Sequence, residues 1–173
     1  VEMTARVSAN RKSHAELRPK LLDIAERASG LRAAIVQLAN EDIRAYGEVA
    51  GAYRLPKATE AEQAARTEAI QRALVLATEV PLEIAARSLE VIELAVTAIQ
   101  IGAKTIIGDS GVAAHGATAA LRGVLLNADQ NLQSITDAAF AARGVERSRQ
   151  LKQAAESALA LAVQGLRERG FDA

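Results

Sequence analysis

The sequence predicts an all-α protein, an up-and-down bundle of about four to five long antiparallel helices that dimerises. Half of the 173 residues are apolar although only 2% are aromatic, and alanine, the best helix former, supplies much of that apolar fraction. Apolar residues recur at spacings of three and four over long stretches, and no short run alternates apolar and polar residues as a strand would. We expect residues 1–173 to form one domain with a real core.

The first long helix is predicted to begin near Ser13, after a short helical tail over residues 1–7. It should end at Leu55-Pro56, because the residue before a proline is pushed out of the helical region. Its apolar residues form a heptad seam, as in a helix packed on other helices. The seam contains Leu17, Leu21, Ile24, Ala28, Leu31, Ile35, Leu38, Asp42, Ala45, Val49 and Ala52.

One aspartate, Asp42, lies within that seam and is the first candidate for chemistry. A carboxylate on a packing seam loses hydration and must find partners or hold a proton. Tyr46 and Tyr53 follow it by four and eleven residues, which places both rings on the same helix face. Two plainer interpretations stay open: the helix boundary is shifted and Asp42 is solvated, or the carboxylate makes a buried structural hydrogen bond.

The second long helix is predicted to begin at a capping box formed by Thr59 and Glu62 and to end near Gly102. Its apolar periodicity continues in phase through Pro81, so we expect a kink there and not a break. The seam of this helix contains Ile70, Ala73, Ala77, Val80, Ile84, Ser88, Val91, Ala95 and Ala98.

A short turn over residues 106–111 is predicted to precede the third long helix, with Asp109 or Ser110 as its N-cap. This helix should run to about Ser134. One stripe of it contains small residues and then two asparagines: Ala113, Gly116, Ala120, Gly123, Asn127 and Asn131. Small residues let another backbone or a flat ligand approach closely. We expect a homodimer or a larger homo-oligomer, because a bundle of this length cannot easily cover so many wide apolar seams by itself.

The last helix is predicted to begin at Thr136-Asp137 and to end at Gly170, with Gly144 as a candidate break. Its apolar positions include Phe140, Leu151, Ala155, Leu159 and Val163.

Charge and composition exclude several classes of function. The chain has 21 basic and 21 acidic residues, so it lacks the basic excess that nucleic-acid binding needs. No apolar run approaches the length of a membrane span, and no signal peptide is visible. The chain has no cysteine, so thiol chemistry is excluded and a cytoplasmic location is expected. We expect no nucleic-acid partner and no membrane partner.

The sequence gives little support for the common catalytic and metal-binding motifs. Gly108-Asp109-Ser110-Gly111 resembles the stretch around the nucleophile of trypsin-like serine proteases, but that motif belongs to a double β-barrel. His14 and His115 have no evident acid partner. No histidine cluster indicates a metal site, and no phosphate loop or dinucleotide fingerprint occurs. We therefore expect neither a metal nor a cofactor.

Polar groups on packing faces are the candidates that remain: Asp42, Asp109, Asn127 and Asn131, with Lys57 as a cation near the rim. Together they could line a pocket between helices. Carboxylates in such a pocket move protons, and amides hold an aromatic heterocycle by its edge. The alternative is that each belongs to a separate cap or buried network.

Five stretches, in order along the chain, follow a pattern shared with known proteins. They are Asn40-Glu41-Asp42 with Tyr46, Ala52-Tyr53-Arg54-Leu55-Pro56-Lys57, Glu79-Val80-Pro81-Leu82-Glu83-Ile84-Ala85, Asp109-Ser110-Gly111-Val112-Ala113-Ala114, and Leu125-Leu126-Asn127 with Asn131-Leu132. These stretches resemble the cyclodeaminase/cyclohydrolase family of folate one-carbon metabolism. That family comprises the C-terminal domain of formiminotransferase-cyclodeaminase and stand-alone methenyltetrahydrofolate cyclohydrolases.

Three departures accompany the resemblance. The family's N-terminal glycine-rich stretch has no counterpart, so we expect residues 1–173 to lack that segment. The family's Gly-Lys-Lys-like turn reads Ala9-Asn10-Arg11-Lys12, and Gly108 stands where the family usually has serine.

The resemblance implies a dimeric helical bundle that acts on a tetrahydrofolate derivative. The reaction would be loss of ammonia from 5-formiminotetrahydrofolate or hydrolysis of the 5,10-methenyl bridge, and neither needs a metal. The sequence does not separate these two reactions. The alternative is a helical assembly or interaction protein that keeps the fold without the chemistry.

The resemblance also implies roles for the candidate residues. Burial would raise the pKa of an acidic group so that it can donate a proton. Asp42 would be the main acid and base, Asp109 a second carboxylate that orients substrate or water, Tyr46 and Tyr53 the rings beside the substrate, Asn127 and Asn131 the ligands of the pterin edge, and Lys57 the partner of the glutamate tail.

Overall fold

The computed structural model describes residues 1–172, and these residues form five α-helices and no strand. The helices are α1 (Glu2–Ala9), α2 (Arg18–Tyr53), α3 (Glu60–Ile101), α4 (Ile107–Leu132) and α5 (Ala138–Glu168), with one 3₁₀ turn at Lys12–His14. Short connections join the four long helices, as in an antiparallel bundle. The predicted all-α fold is confirmed.

Helix α3 is the centre of the packing, because α2, α4 and α5 all lie against it. The main core lies where α3, α4 and α5 meet, and its fully buried members include Ala85, Ile92, Ala95, Ile99, Leu121, Leu125 and Ala155. A smaller core joins α1 and α2 to another face of α3. Alanine at many of these positions lets the helix axes approach closely.

Helix α3 begins and continues as the sequence predicts. The Thr59 hydroxyl accepts a hydrogen bond from the Glu62 backbone N–H at 3.2 Å, and the Glu62 carboxylate accepts one from the Thr59 N–H at 3.0 Å. The capping box is therefore present. The helix then runs without a break through the buried Pro81 to Ile101.

Helix α2 confirms the heptad seam but begins later than expected. Residues 12–14 form a separate 3₁₀ turn, and the α-helix begins at Arg18, with Pro19 in its first turn. Leu17 therefore precedes the helix and is exposed, whereas the seam from Leu21 onward is buried or half-buried.

The predicted turn over residues 106–111 is wrong. Helix α4 begins at Ile107, and neither Asp109 nor Ser110 caps it. The hydroxyl of Ser110 instead donates a hydrogen bond to the Thr4 hydroxyl at 2.9 Å, in the buried contact between α1 and α4. The small residues of this stretch thus serve packing between helices and do not form a turn.

Helix α5 begins at the predicted cap and is not split. The Asp137 carboxylate accepts hydrogen bonds from the backbone of the first turn. Gly144 lies inside the continuous helix, where a Cβ would stand 2.5 Å from the Leu132 side chain. This glycine is a point of close contact between α4 and α5.

Among residues 1–172, the middle of the small-residue stripe of α4, from Gly116 to Gly123, is left open. Gly116, Ala120 and Gly123 are exposed, and a Cβ added at either glycine would have no neighbouring atom within 4 Å. Val112 and Leu126 flank the stripe and are 73% and 67% exposed. The outer face of α4 is therefore an open apolar surface.

Within residues 1–172, none of the helices combines the length and the apolar character needed to cross a bilayer.

Candidate active site

A cleft of about 440 Å³ lies at the end of the bundle where α2 and α4 finish and α3 begins. Its floor is apolar and its rim is polar. The cleft brings together five residues that the sequence singles out: Asp42, Tyr46, Tyr53, Asn127 and Asn131. The other lining residues are Val49, Leu74, Ala77, Gln130 and Ser134.

Asp42 is the half-buried carboxylate of this cleft. Loss of hydration raises its pKa above the ordinary value, and no hydrogen bond or nearby charge among residues 1–172 offsets that effect. Helix α2 continues on both sides of Asp42, so the helix boundary is not shifted, and no residue among 1–172 makes a structural hydrogen bond to the carboxylate. An unpaired carboxyl with a raised pKa is suited to take up and return a proton.

Tyr46 and Tyr53 lie on the same wall of the cleft as Asp42, as the helical spacing predicts. Their side chains are 73% and 50% exposed. Large aromatic surfaces left open beside a carboxyl group offer a planar ligand two faces to stack on.

Asn131 is held in the cleft by a consequence of Pro81. A proline has no N–H, so the carbonyl four residues earlier, that of Ala77, loses its helical partner. The Asn131 amide nitrogen donates to that oxygen at 2.7 Å. This bond fixes the orientation of Asn131 and leaves its carbonyl oxygen free to face a ligand.

Sequence reasoning missed Gln130 and Ser134, which line the cleft together with the two asparagines. Gln130 follows Asn127 by three residues and Ser134 follows Asn131 by three, a same-face helical spacing that could have found them. Gln71 of α3 fixes this end of α4 by donating to the Ser134 carbonyl at 3.0 Å. Hydrogen bonds with α3 thus hold this wall of the cleft in place.

Asp109 does not lie in this cleft. It is exposed in the first turn of α4, eighteen residues before Asn127, which corresponds to about 27 Å along the helix. A single chain therefore keeps the two candidate carboxylates apart, and the predicted pairing of Asp42 with Asp109 in one site is wrong for the isolated chain.

Lys57 also lies outside the cleft, in a neighbouring pocket of about 270 Å³ that contains Gln63, Arg66 and Thr67. Arg66 connects the two sites, since it donates to the Tyr53 carbonyl oxygen at 3.0 Å and its guanidinium lies 5.5 Å from the centre of the Tyr53 ring. The sequence carries no signal for this contact, because Arg66 reaches across from another helix.

The cleft contains groups for proton transfer and hydrogen bonding: one carboxyl, two phenols, three side-chain amides and a hydroxyl. Among residues 1–172, no three His, Cys, Asp or Glu side chains converge as metal ligands would. The fold and the cleft define a class of protein, an all-helical bundle with a cleft lined by aromatic rings, side-chain amides and one carboxyl.

Comparison with known proteins gives the family. The family model described as formiminotransferase-cyclodeaminase matches residues 1–150. The chain belongs to the formiminotransferase-cyclodeaminase family.

Two curated relatives have informative names. The methenyltetrahydrofolate cyclohydrolase of Methylorubrum extorquens is 38% identical over 141 residues, which cover 82% of this chain and 68% of the relative. The formimidoyltransferase-cyclodeaminase of Rattus norvegicus is 31% identical over 137 residues, which cover 79% of this chain and only 25% of the relative. This chain therefore corresponds to about a quarter of the longer protein.

A solved structure agrees in fold. The formiminotetrahydrofolate cyclodeaminase of Thermotoga maritima superposes with a TM-score of 0.86 over 98% of this chain and 81% of that chain. The two sequences are 22% identical, so this likeness supports the helical architecture alone.

Proposed function

We propose that this chain is a folate one-carbon enzyme, a methenyltetrahydrofolate cyclohydrolase. The observation that carries the proposal is the half-buried, unpaired Asp42 carboxyl in a cleft of aromatic rings and amides. Family membership supports it. The relative named a cyclohydrolase shares 38% of its aligned residues with this chain, against 31% for the relative named a cyclodeaminase.

The proposed chemistry uses Asp42 as base and then as acid. The ionised carboxyl takes a proton from water, whose oxygen adds to the carbon that bridges N5 and N10. The bond from that carbon to N5 then breaks, and the protonated carboxyl returns the proton to N5. The proton that remains on the added oxygen is released to solvent as the C–O bond becomes the formyl C=O, so one proton is released per turnover. The product is 10-formyltetrahydrofolate. A carboxyl with a raised pKa serves both steps, since general acid–base catalysis is most efficient when the pKa is near the working pH.

The remaining cleft residues bind the substrate. The Tyr46 and Tyr53 rings stack on its planar parts, while Asn127 and the free carbonyl of Asn131 hydrogen-bond the pterin edge. Lys57 pairs with the glutamate tail.

We also propose a homodimer, in which a second copy covers the exposed face of α4. The stripe from Ala113 to Asn127 is centred on Ala120, the midpoint of the residue numbers. An antiparallel α4 pair about a two-fold axis at that residue would set the partner's Asp109 opposite Asn131, beside the cleft. The second carboxylate that the family resemblance implies would then come from the partner.

Gly108 does not weaken the proposal. It lies next to Asp109 at the far end of α4 and packs on Phe171, whose ring would stand 3.3 Å from an added Cβ. Its lack of a side chain is therefore a matter of packing against the C-terminal residues.

Spectrophotometry of the methenyl chromophore tests the function. A cyclohydrolase accelerates the loss of absorbance of 5,10-methenyltetrahydrofolate. A cyclodeaminase instead generates that absorbance from 5-formiminotetrahydrofolate. Activity in neither direction would contradict the proposal and favour the alternative of an assembly protein without catalysis. A cytoplasmic location is part of the proposal and is checked by cell fractionation.

Subunit mixing tests the dimer. The Asp42→Asn and Asp109→Asn chains are each expected to be inactive alone. Mixed after denaturation and refolded together, they should regain activity at about a quarter of the sites, because random pairing places both intact aspartates in one site of each heterodimer. Light scattering that shows a stable monomer at micromolar concentration, or a mixture that stays inactive, would contradict it.

A further inference from the structure

Arg66 is a fixed guanidinium at the border of the cleft. Its Nε and Nη2 atoms donate to the Tyr53 carbonyl oxygen at 3.3 and 3.0 Å, and the group lies over the Tyr53 ring, 5.5 Å from its centre. The side chain is half-buried. These contacts hold the guanidinium in one orientation before any ligand arrives, which reduces the entropy that a ligand must overcome.

The charge of Arg66 has no carboxylate partner among residues 1–172, although other arginines of α3 do. Arg72 pairs with Glu68, and Arg87 pairs with Glu83 and with Glu90. The two hydrogen bonds to Tyr53 use one side of the guanidinium. The Nη1 and Nη2 hydrogens on the remaining edge form the fork that binds a carboxylate with two parallel hydrogen bonds.

A second unpaired cation shares this pocket. Lys57 lines the same space of about 270 Å³, and Gln63 braces its backbone by donating to the Lys57 carbonyl at 3.1 Å. Two cations without acidic partners around a small concave surface favour an anion with more than one negative group.

Tyr53 relates the position of this pocket to that of the Asp42 carboxyl. The residue lines the cleft and is the group that Arg66 contacts. It follows Asp42 by eleven residues, about 16 Å along α2. A molecule whose reacting carbon lies at Asp42 and whose rings follow the two tyrosines would direct its far end toward Arg66.

We propose that Arg66 and Lys57 form a subsite for the glutamate carboxylates of the folate, with Arg66 binding one carboxylate through its fork and Lys57 adding a mobile charge. Arg66 is thereby a specificity-determining residue that distinguishes folates from pterins without the tail. The proposal rests on the proposed function, since it assumes a folate in the cleft.

The test pairs one variant with two substrates. Wild type and Arg66→Gln are assayed with 5,10-methenyltetrahydrofolate and with 5,10-methenyltetrahydropteroate, which lacks glutamate. Arg66→Gln is expected to raise KM for the folate about 10- to 100-fold, because a charge-assisted hydrogen-bonded pair usually contributes about that factor to affinity. The kcat should change little, because the subsite is remote from the reacting carbon, and the KM for the pteroate should stay within about twofold.

Arg72→Gln is the matched control, since it removes an arginine two turns away on the same helix that touches neither pocket. It should leave both substrates unaffected. Arg66→Lys, which keeps the charge but loses the fork, should restore only part of the folate affinity. An equal loss for both substrates would assign Arg66 to holding Tyr53 and overturn the proposal, as would no loss for the folate.

Binding measured by calorimetry with tetrahydrofolate and tetrahydropteroate separates this inference from the proposed function. A wild type that binds the folate but converts no substrate overturns the proposed reaction, and the Arg66→Gln comparison is then made on Kd. A wild type that binds neither ligand overturns both.

Discussion

The two ends of helix α4 border two different hollows. The N-terminal end borders an apolar groove of about 810 Å³ near α1. The C-terminal end borders the cleft, which has about half that volume. The charged side chains that line the larger groove pair with one another, Glu2 with Arg6 at 3.0 Å and with Arg32 at 3.3 Å. Asp42 of the smaller cleft has no such partner.

This contrast separates a surface suited to packing from one suited to chemistry. Covering an apolar groove whose charged side chains are paired is favourable, because apolar surface leaves water. The volume of such a groove measures how much surface is open and does not indicate chemistry. A half-buried carboxyl without a partner costs folding free energy, and such groups concentrate where a function uses them. The smaller hollow is therefore the better candidate for the active site.

The largest expected effect comes from Asp42→Asn, which keeps the size and polarity of the side chain but removes its acidity. If Asp42 moves the proton, kcat should fall by roughly 10²- to 10⁴-fold. Asp23→Asn is the matched control, because Asp23 is an exposed aspartate on the same helix. The Asp23→Asn protein should be as active as wild type. An Asp42→Asn protein that is folded and nearly as active as wild type would remove Asp42 from catalysis.

The second prediction concerns the brace of the cleft wall. Asn131→Ala leaves the Ala77 carbonyl without a donor, and it should lower the free energy of unfolding by about 1–3 kcal/mol. Pro81→Ala supplies a backbone N–H for the same oxygen. The loss caused by Asn131→Ala, measured by urea denaturation, should therefore be smaller in the Pro81→Ala background. Equal losses in the two backgrounds would show that Asn131 and Pro81 act independently.

A third, smaller effect is a dependence of stability on pH. Folding raises the pKa of Asp42 above its ordinary value of 3.8, so ionisation of this group destabilises the folded state above the raised pKa and has no such effect below 3.8. Asp42→Asn should therefore melt at a higher temperature than wild type near neutral pH. The difference should shrink as pH falls from the raised pKa toward the ordinary one, and a constant difference at all pH values would be inconsistent with it.

The smallest expected effect comes from Lys57→Glu, since Lys57 is exposed and held only through its backbone. Folate binding should weaken a few-fold, more for polyglutamylated than for monoglutamylated ligands, and the loss should shrink as salt screens the charges. Affinity titrations at two salt concentrations would measure this. A loss that ignores tail length would place Lys57 outside the subsite.

Local rules alone determined much of this molecule. The capping box at Thr59, the cap at Asp137 and the heptad seam of α2 depend on residues a few positions apart, and such contacts follow from helix geometry. The same geometry places Asp42, Tyr46 and Tyr53 on one face. Their grouping in the cleft was therefore available from the spacing of their numbers.

Tertiary structure decided what lies between helices. The hydrogen bond from Asn131 to the carbonyl freed by Pro81 and the stacking of Arg66 on Tyr53 each join residues of two different helices. The separation of Asp109 from Asp42 depends on the length of α4 and on how the helices pack. The predicted turn at residues 106–111 failed for the same reason. Its small residues resemble a turn locally, yet contacts with α1 and α5 make them helical, because tertiary packing overrides weak local propensity.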